Sequence, residues 1–464
     1  MRRNAVCTAA ASLLLIVLSA NASASDSTYA ETTLHSFCGG CGEGGRPVNV
    51  GLVRDSAGNL YGVTSETYSA FNGGVVFELS PKEDGSWSFQ TLYSFCNREE
   101  GHGRQCDSSY PTGDLIIDVN GNLYGTTQFG NRDRGSAYEL MPNADHTAWT
   151  FRVLHKFCRH SPSDGCNPQA GLTYAGAATG AAYDGVSPLY GTTAGGGAYH
   201  AGTVFELGPT PLRQERVLYH FCRISGCPDG ANPVASVIVD ASGNLYGTTS
   251  GGGGGQSVAG TVFELSLNDD HTTWSQKVLW SFCMTGNTCP DGGSPVSRLA
   301  MDAQGNLLGT TVYGGNAACE INGIYGCGVL FKLSPHGGTW REKILHAFCK
   351  KNPPQLCTDG STPVAGVTLD GTGNIFGTTA RGGGQNGDGT VFEYSTSGFY
   401  SLYSFCSESA CADGATPEGN LLLDSAGNIF GTTNLDGAYG FPGGGTIFEL
   451  TPQALAHKTK PRGR

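Results

Sequence analysis

Cysteines are the most regularly spaced reactive residues of the chain. There are 17, of which Cys7 stands alone near the start and the other sixteen fall into eight local pairs. Short loops closed by paired cysteines are typical of disulfides in exported proteins, whereas zinc would need two such pairs to meet. Cys38 and Cys41 have zinc-like spacing, but the other spacings differ from unit to unit. We therefore predict eight loop disulfides: Cys38–Cys41, Cys96–Cys106, Cys158–Cys166, Cys222–Cys227, Cys283–Cys289, Cys319–Cys327, Cys349–Cys357 and Cys406–Cys411.

Carboxylates follow the second cysteine of several pairs at a fixed distance. Calcium takes several oxygen ligands, so a ring of such acids could hold this cation. Asp-Gly is also ordinary turn sequence, because Asp bonds to nearby backbone and Gly adopts positive φ. The turn is our main interpretation, and calcium is the one cofactor that the sequence leaves open. The acids are Glu43, Asp229, Asp291, Asp359 and Asp413.

Aromatic residues recur in or beside the glycine-rich stretches of the sequence. An aromatic face suits recognition of carbohydrate or peptide, and packing within the loops is the alternative. The candidate ligand-binding residues are Tyr68, Phe71, Phe129, Tyr199, Tyr313, Tyr325, Tyr439 and Phe441.

No recognisable catalytic constellation accompanies these residues. A nucleophile elbow, a phosphate loop, an HExxH motif and a dinucleotide fingerprint are all missing from the sequence. The loop from Cys96 to Cys106 contains Glu99, Glu100 and His102, which is too little to define a site. The recurring glutamate of "FEL" would demand many equivalent sites, so we interpret it as structural and expect threonine partners. We assign no catalytic residue.

The elements that position these loops follow from a repeated phrase. "DVNGNLYGTT" at Asp118 to Thr127 returns as "DASGNLYGTT" and "DSAGNIFGTT". Asp-x-x-Gly-Asn is turn chemistry between β-favouring residues, so the phrase predicts a hairpin. We expect its central glycine to let a neighbouring backbone or aromatic ring approach closely. That glycine occurs seven times, as Gly62, Gly125, Gly191, Gly247, Gly309, Gly377 and Gly431.

Each unit contains four short predicted strands, here called a, b, c and d. Seven such units predict an all-β fold, a seven-bladed β-propeller of four-stranded blades. The chain starts with a lone d strand, at Thr32 to Cys38, and its last unit stops after strand c, at Thr446 to Leu450. We therefore expect the N-terminal strand to close the ring. The d-to-a and b-to-c loops should then share one face, where binding sites are most often built.

The units resemble a known family. The repeated "GNLYGTT…GG…GTVFEL" pattern is similar to the Gloeobacter–Verrucomicrobia (GloVer) tandem repeat of secreted bacterial proteins. The resemblance covers nearly all of the chain after its first residues and implies an exported bacterial repeat protein. It supplies no catalytic residue. Many members carry a C-terminal sorting segment, and we expect none after Leu450.

Composition sets the remaining expectations. Residues 1–24 have the basic start, short apolar stretch and "ASA" ending of a signal peptide, residues 26–452 form the predicted propeller, and residues 453–464 form a basic, disordered tail. The net charge of −12 disfavours nucleic acid and acidic membranes as partners. No later segment is apolar enough for a membrane span.

These observations together predict a secreted or periplasmic bacterial protein without catalytic activity. We expect a monomer that serves as a binding or scaffold module, with a glycan or an envelope protein as its partner. The alternative is a carbohydrate-active lyase or hydrolase with a site near the propeller axis, since the fold alone does not decide between binding and catalysis.

Overall fold

The structure is a computed structural model with seven four-stranded antiparallel blades in a β-propeller, as the sequence predicts. It describes residues 29–38, 43–65, 73–96, 108–130, 134–159, 161–254, 259–269, 272–284, 288–316, 319–321, 324–350, 357–383, 387–439 and 444–453. The predicted signal peptide, nearly all of the tail, and Cys41, Glu99, Glu100, His102 and Cys106 therefore lie outside the described residues.

The hairpin between strands a and b forms as the repeated phrase predicts. The Asp118 carboxylate accepts hydrogen bonds from the backbone N–H groups of Asn120 and Asn122, at 2.8 and 2.9 Å. Side-chain atoms of Asn122 complete the turn by donating to the same carboxylate. Ile116 on strand a then lies opposite Tyr124 on strand b. Asp55, Asp240, Asp302, Asp370 and Asp424 hold the equivalent turns in five other blades.

The first strand of the chain, β1, spans Tyr29–Ser36, and blades 1 to 3 follow it. Blade 1 contains β2 (Val53–Arg54), β3 (Leu60–Thr64), β4 (Val75–Pro81) and β5 (Trp87–Ser94). Blade 2 contains β6 (Ser109–Ile117), β7 (Leu123–Phe129), β8 (Ser136–Pro142) and β9 (Trp149–Lys156). Blade 3 contains β10 (Thr173–Tyr174), β11 (Leu189–Thr193), β12 (Thr203–Leu207) and β13 (Glu215–His220).

Blades 4 to 7 repeat this order. Blade 4 contains β14 (Ile238–Val239), β15 (Leu245–Thr249), β16 (Thr261–Leu267) and β17 (Trp274–Ser281). Blade 5 contains β18 (Ala300–Met301), β19 (Leu307–Thr311), the small hairpin β20 (Glu320–Ile321) and β21 (Ile324–Tyr325), β22 (Val329–His336) and β23 (Thr339–Ala347). Blade 6 contains β24 (Thr368–Leu369), β25 (Ile375–Thr379), β26 (Thr390–Ser395) and β27 (Gly398–Ser404). Blade 7 contributes β28 (Leu422–Leu423), β29 (Ile429–Thr433) and β30 (Thr446–Pro452).

The N-terminal strand lies in the sheet of blade 7, in the order β28–β29–β30–β1. It pairs antiparallel with β30, from Tyr29 opposite Pro452 to Ser36 opposite Thr446. The expected partner strand is therefore the one observed. That this strand is what closes the ring stays a prediction.

Among the residues that the structure describes, three short 3-10 turns connect strands, at Pro162–Asp164, Ala177–Thr179 and Ser409–Cys411. The second lies between β10 and β11 of blade 3. The Tyr183 hydroxyl in the same connection accepts a hydrogen bond from the buried Arg213 at 2.7 Å. Within the described part of the chain, no helix is long and apolar enough to cross a membrane.

The hydrophobic core lies between neighbouring blades. One cluster joins Val63 and Val76 of blade 1 to Leu123 and Leu140 of blade 2. Strand b needs its glycine because an aromatic ring of strand c lies directly over it. In blade 4, a Cβ atom on Gly247 would meet the Phe263 ring at 2.6 Å. The close ring approach expected from the sequence is thus present, and the ring belongs to the same blade.

The two threonines that follow this glycine have different partners. The first reaches the next blade, as when the Thr248 hydroxyl donates to the Ser297 carbonyl oxygen at 3.1 Å. The second stays within its blade, where the Thr249 and Thr261 hydroxyl oxygens are 2.8 Å apart. Blades 2, 3, 5 and 7 make the first bond in the same way. The phrase therefore joins neighbouring blades as well as forming a hairpin.

The prediction that threonines are the partners of the "FEL" glutamate is wrong. Glu139 accepts a hydrogen bond from the Tyr124 hydroxyl at 2.8 Å and forms an ion pair with Arg152. Glu206 binds Arg216 in the same way. The first threonine of the phrase lies two residues beyond the tyrosine that faces this glutamate, and its hydroxyl donates to the next blade instead, as Thr126 does to the Ala170 carbonyl oxygen.

Candidate functional site

The d-to-a loops and the b-to-c loops meet on one side of the ring, which we call the stapled-loop face. The Arg46 backbone N–H, in the first d-to-a loop, donates to Gly444 in the b-to-c loop of blade 7. Isolated bridges between Cys166 and Gly195 and between Ala231 and Gly251 join the same two kinds of loop. The opposite side, with the Asp-x-x-Gly-Asn turns, is the turn face.

Disulfides hold the d-to-a loops, and one more, Cys319–Cys327, lies in the b-to-c loop of blade 5. Both cysteines of six predicted pairs are described, and all six are bonded: Cys158–Cys166, Cys222–Cys227, Cys283–Cys289, Cys319–Cys327, Cys349–Cys357 and Cys406–Cys411. Cys38 and Cys96 are also disulfide-bonded, while their predicted partners lie outside the described residues. The prediction of multiple loop disulfides is therefore confirmed.

The acids after the cysteine pairs bind their own loops. Asp291 accepts from the Cys283 backbone N–H at 3.1 Å, and Asp359 accepts from that of Cys349 at 3.1 Å. Asp229 and Asp413 accept equivalent bonds from residues one position later in their loops. Glu43 lies 3.5 Å from the His35 ring nitrogen. These contacts are those of the turn interpretation, and calcium binding by the five acids stays a prediction.

Blade 3 has an equivalent acid that the sequence pattern misses. Asp164 precedes the second cysteine of its pair, yet it accepts from the Cys158 N–H at 3.0 Å and lies 3.1 Å from His155. His346 binds Asp359 in the same way, at 2.9 Å. The sequence did contain a sign of this equivalence, because His155 and His346 both lie two residues before "Phe-Cys".

Two groups of described residues have metal-ligand atoms close together. In the first, the sulfur atoms of Cys319, Cys327, Cys349 and Cys357 lie within 4.8 Å of one another. These four form two disulfides, so they offer no thiolate to a metal ion. The second group joins Asp388 to the disulfide of Cys406 and Cys411.

The candidate aromatic residues do not converge on one site. Phe129, Tyr199 and Tyr439 are 39%, 46% and 64% exposed and belong to blades 2, 3 and 7, while Tyr313 of blade 5 is half-buried. No ring contact joins any two of these four described side chains. Tyr68, Phe71, Phe441 and the side chain of Tyr325 lie outside the described residues. A ligand role for the eight aromatics stays a prediction.

A different set of side chains does meet at one point. One residue from every blade lies directly before the first core residue of strand a. Six of these seven line a single cavity and the seventh, Gly51, is bonded to Asp114, so we call the seven the axial ring. Its members are Gly51, Asp114, Gly171, Ser236, Arg298, Gly366 and Asn420. Four of them are glycine or serine, so the chemistry of the ring comes from Asp114, Arg298 and Asn420.

The three large members join neighbouring blades and also blades that are not neighbours. One Asp114 carboxylate oxygen accepts from the Gly51 N–H at 2.7 Å, and the other accepts from the Asn420 amide at 2.7 Å. The Asn420 oxygen accepts from the Gly366 N–H at 2.8 Å. An Arg298 guanidinium nitrogen lies 3.7 Å from Asp114. Blades 1, 2, 5, 6 and 7 are thereby connected across the axis.

This ring separates two cavities along the axis. The cavity on the stapled-loop face has a volume of about 420 Å³, with the polar side chains of Asn49, Gln169, Ser250, Ser294 and Glu418 in its wall besides those of the ring. The cavity on the turn face has a volume of about 770 Å³ and is lined by turn residues such as Arg54, Asp55 and Asn120. Asp114, Ser236 and Arg298 line both.

Glu418 adds a second carboxyl group to the cavity on the stapled-loop face. Burial raises the pKa of Glu418, against the lowering effects of a hydrogen bond from Asn434 and of nearby Arg46 and Arg381. The Asn434 amide donates to this carboxyl at 3.0 Å. Glu418 lies two residues before the axial-ring member of its blade. The residues at this position in blades 4, 5 and 6 are Val234, Val296 and Val364.

The axial ring was missed because each of its members is unremarkable in its own unit. The ring can be found in the sequence only by aligning the seven units. At this one position, four units have glycine or serine and the other three have a charged or amide residue. The differing residues are single substitutions at one repeated position, so no insertion marks them in the sequence.

The chain as a whole is similar to several solved structures and to one family of repeat proteins. A search of curated proteins found no match. Among solved structures, PorZ, a surface component of the type-IX secretion system of Porphyromonas gingivalis, is 12% identical with a TM-score of 0.40, covering 80% of this chain and 47% of that one. A Trypanosoma rangeli sialidase in complex with sialic acid is 12% identical with a TM-score of 0.39, covering 92% and 59%. The chain thus spans about half of the PorZ chain and three fifths of the sialidase chain.

The family model of the Gloeobacter/Verrucomicrobia repeat matches three overlapping segments, residues 20–188, 179–352 and 317–461. Together these segments contain all seven blades. The chain therefore belongs to the Gloeobacter/Verrucomicrobia repeat family.

Proposed function

We propose that this protein is a non-catalytic binding module of the bacterial envelope or exterior. Its ligand is a glycan, and the binding site is the axial cavity on the stapled-loop face. The loop aromatics Phe129, Tyr199 and Tyr439 are exposed on the same face and are available to a longer glycan.

The observation that carries this proposal is the polar axial cavity. Its volume of about 420 Å³ lies within the usual range for small-ligand sites. Amide and hydroxyl groups of Asn49, Gln169, Ser250 and Ser294 both donate and accept hydrogen bonds. A ligand with many hydroxyl groups needs such a wall, since each buried hydroxyl requires a partner.

The cavity is better suited to binding than to acid–base catalysis. A general base must have a lone pair directed at the proton that it removes. Both oxygens of Asp114 already accept hydrogen bonds from fixed donors, the Gly51 N–H and the Asn420 amide. Calcium is not part of the proposal, because the acids of the stapled loops accept from their own backbone.

The proposed compartment agrees with the disulfides. Six pairs bonded within the described residues, together with the bonded Cys38 and Cys96, fit an extracytoplasmic protein, because thiols stay reduced in the cytosol.

A glycan array followed by product analysis tests the proposal. We expect a defined group of glycans to bind without cleavage. Gln169→Val, which introduces the residue of blades 4, 5 and 6, should weaken binding while the fold is kept. Gln90→Val makes the same chemical change at an exposed position of β5 and is the matched control. Cleaved products would show an enzyme, and a folded protein that binds no glycan would overturn the proposal.

A further inference from the structure

Arg298 is the one cation among the seven members of the axial ring. The equivalent residues are serine in blade 4 and glycine in blades 1, 3 and 6, so the fold has no need for a large side chain at this position. An arginine here places a guanidinium group, which stays charged at all ordinary pH values, in the wall of both axial cavities.

The guanidinium of Arg298 is only weakly engaged. Among the described residues its one polar partner is Asp114, at 3.7 Å, and its side chain is 40% exposed. Asp114 is itself occupied by the Gly51 and Asn420 donors at 2.7 Å. Arg298 has five N–H donors, so most of them remain available to a molecule in the cavity.

We infer that the axial cavity binds a saccharide that carries a carboxylate group, as a uronic acid residue does, and that Arg298 binds this carboxylate. This inference rests on the proposed glycan-binding function. The planar guanidinium can donate two parallel hydrogen bonds to the two oxygens of a carboxylate, which a neutral sugar cannot accept in that geometry. The neighbouring Asn49, Gln169 and Ser294 side chains then bind ring hydroxyls.

The other charges of the cavity are compatible with an acidic ligand. Asp114 stays beside Arg298, whose remaining N–H groups are enough for a second carboxylate. Glu418 is held by the Asn434 amide, which donates to its carboxyl at 3.0 Å, and burial raises its pKa.

Calorimetric titration of the full chain with two matched ligands tests the inference. The ligands are an oligogalacturonate and the neutral galactose oligosaccharide of the same length. We expect the acidic ligand to bind about tenfold more tightly, since one hydrogen-bonded charge pair contributes at least that factor. The preference should decline as salt is added.

Three variants separate recognition from stability. Arg298→Ser introduces the residue of blade 4 and should remove the preference for the acidic ligand while weak binding of the neutral one persists. Arg298→Lys keeps the charge but not the paired donors, so part of the preference should remain. Arg341→Ser, on the exposed side of β23, is the matched control and should leave the preference unchanged.

The outcomes distinguish this inference from the proposed function. Equal binding of the two oligosaccharides by the wild type would overturn the carboxylate inference and leave glycan binding in place. Equal affinity for a sulfated galactose oligosaccharide would also overturn it, because a site for any anion would then explain the data. A folded wild type that binds no saccharide would overturn both.

Discussion

Glu342, on the edge strand β23 of blade 5, has a titration that should affect stability. Burial, and to a smaller extent the charge of Asp291, raises the pKa of Glu342 from 4.5 to about 8. Because the folded protein binds this proton more tightly than the unfolded chain, the stabilising effect is complete below pH 4.5 and is lost as the pH rises to about 8.

Glu342→Gln should therefore gain stability relative to the wild type as the pH rises. Between about pH 4 and pH 9 we expect the difference in free energy of unfolding to shift by roughly 2–4 kcal/mol in favour of the variant. Urea unfolding at several pH values measures this shift. Glu83→Gln, at an exposed turn of blade 1, is the control. A constant difference across the pH range would contradict the prediction.

Gly247 shows how one residue limits the packing of a blade. A Cβ atom at this position would lie 2.6 Å from the Phe263 ring and 3.0 Å from Val237, both in the core. We expect Gly247→Ala to lower the free energy of unfolding by about 1–3 kcal/mol, the usual cost of overpacking.

Gly371→Ala is the matched control for this substitution. A Cβ atom on Gly371 has nothing within 4 Å. The control should change stability by no more than about 0.5 kcal/mol. Chemical denaturation of both variants measures the contrast, and equal losses would refute the role assigned to the ring.

Strand b forms a hydrogen bond to the next blade, and we expect this bond to contribute to the stability of the protein. Thr248 of β15 donates to the buried Ser297 carbonyl oxygen of the next blade at 3.1 Å. Thr248→Val keeps the shape of the side chain but leaves this oxygen without that donor. We expect the free energy of unfolding to fall by about 1–3 kcal/mol, the cost of a buried group that loses its partner.

Thr378 supplies a control within the same repeated phrase. Its bond to the Gly419 carbonyl oxygen is longer, at 3.5 Å, and therefore weaker. Thr378→Val should be the milder of the two substitutions when unfolding is measured under identical conditions. If the order is reversed, the inter-blade bond is not what stabilises strand b.

Closure of the ring by β1 is a prediction at the scale of the whole molecule. This strand pairs with β30 of blade 7, and its His35 ring stacks on Phe89 of blade 1 with centroids 4.1 Å apart. Phe37 packs beside Phe77 of blade 1 as well. The strand therefore contacts both of the blades that the ends of the ring bring together.

Removal of residues 1–36 should lower the unfolding temperature and promote association through the exposed edge of β30. Removal of residues 1–28, which leaves β1 intact, is the control. Calorimetry and light scattering measure the two effects. Equal unfolding temperatures for the two truncated proteins would show that another contact closes the ring.

The amino-acid sequence by itself determined the hairpins, the number of blades, the order of strands and the six disulfide pairs of which both cysteines are described. Each depends on residues close together in the chain, such as Asp118 with Asn122 or Cys222 with Cys227, and each is repeated unit after unit. Local chemistry of this kind can be read without coordinates, because turn geometry and loop length limit the partners.

Only the tertiary structure decided where the repeats combine. Asp114, Arg298 and Asn420 belong to different blades, and no local pattern relates them until the sheets surround one axis. The same holds for the acceptor of Thr248, which is a carbonyl oxygen of the next blade. Conversely, the four described loop aromatics make no ring contact with one another, because they belong to four different blades.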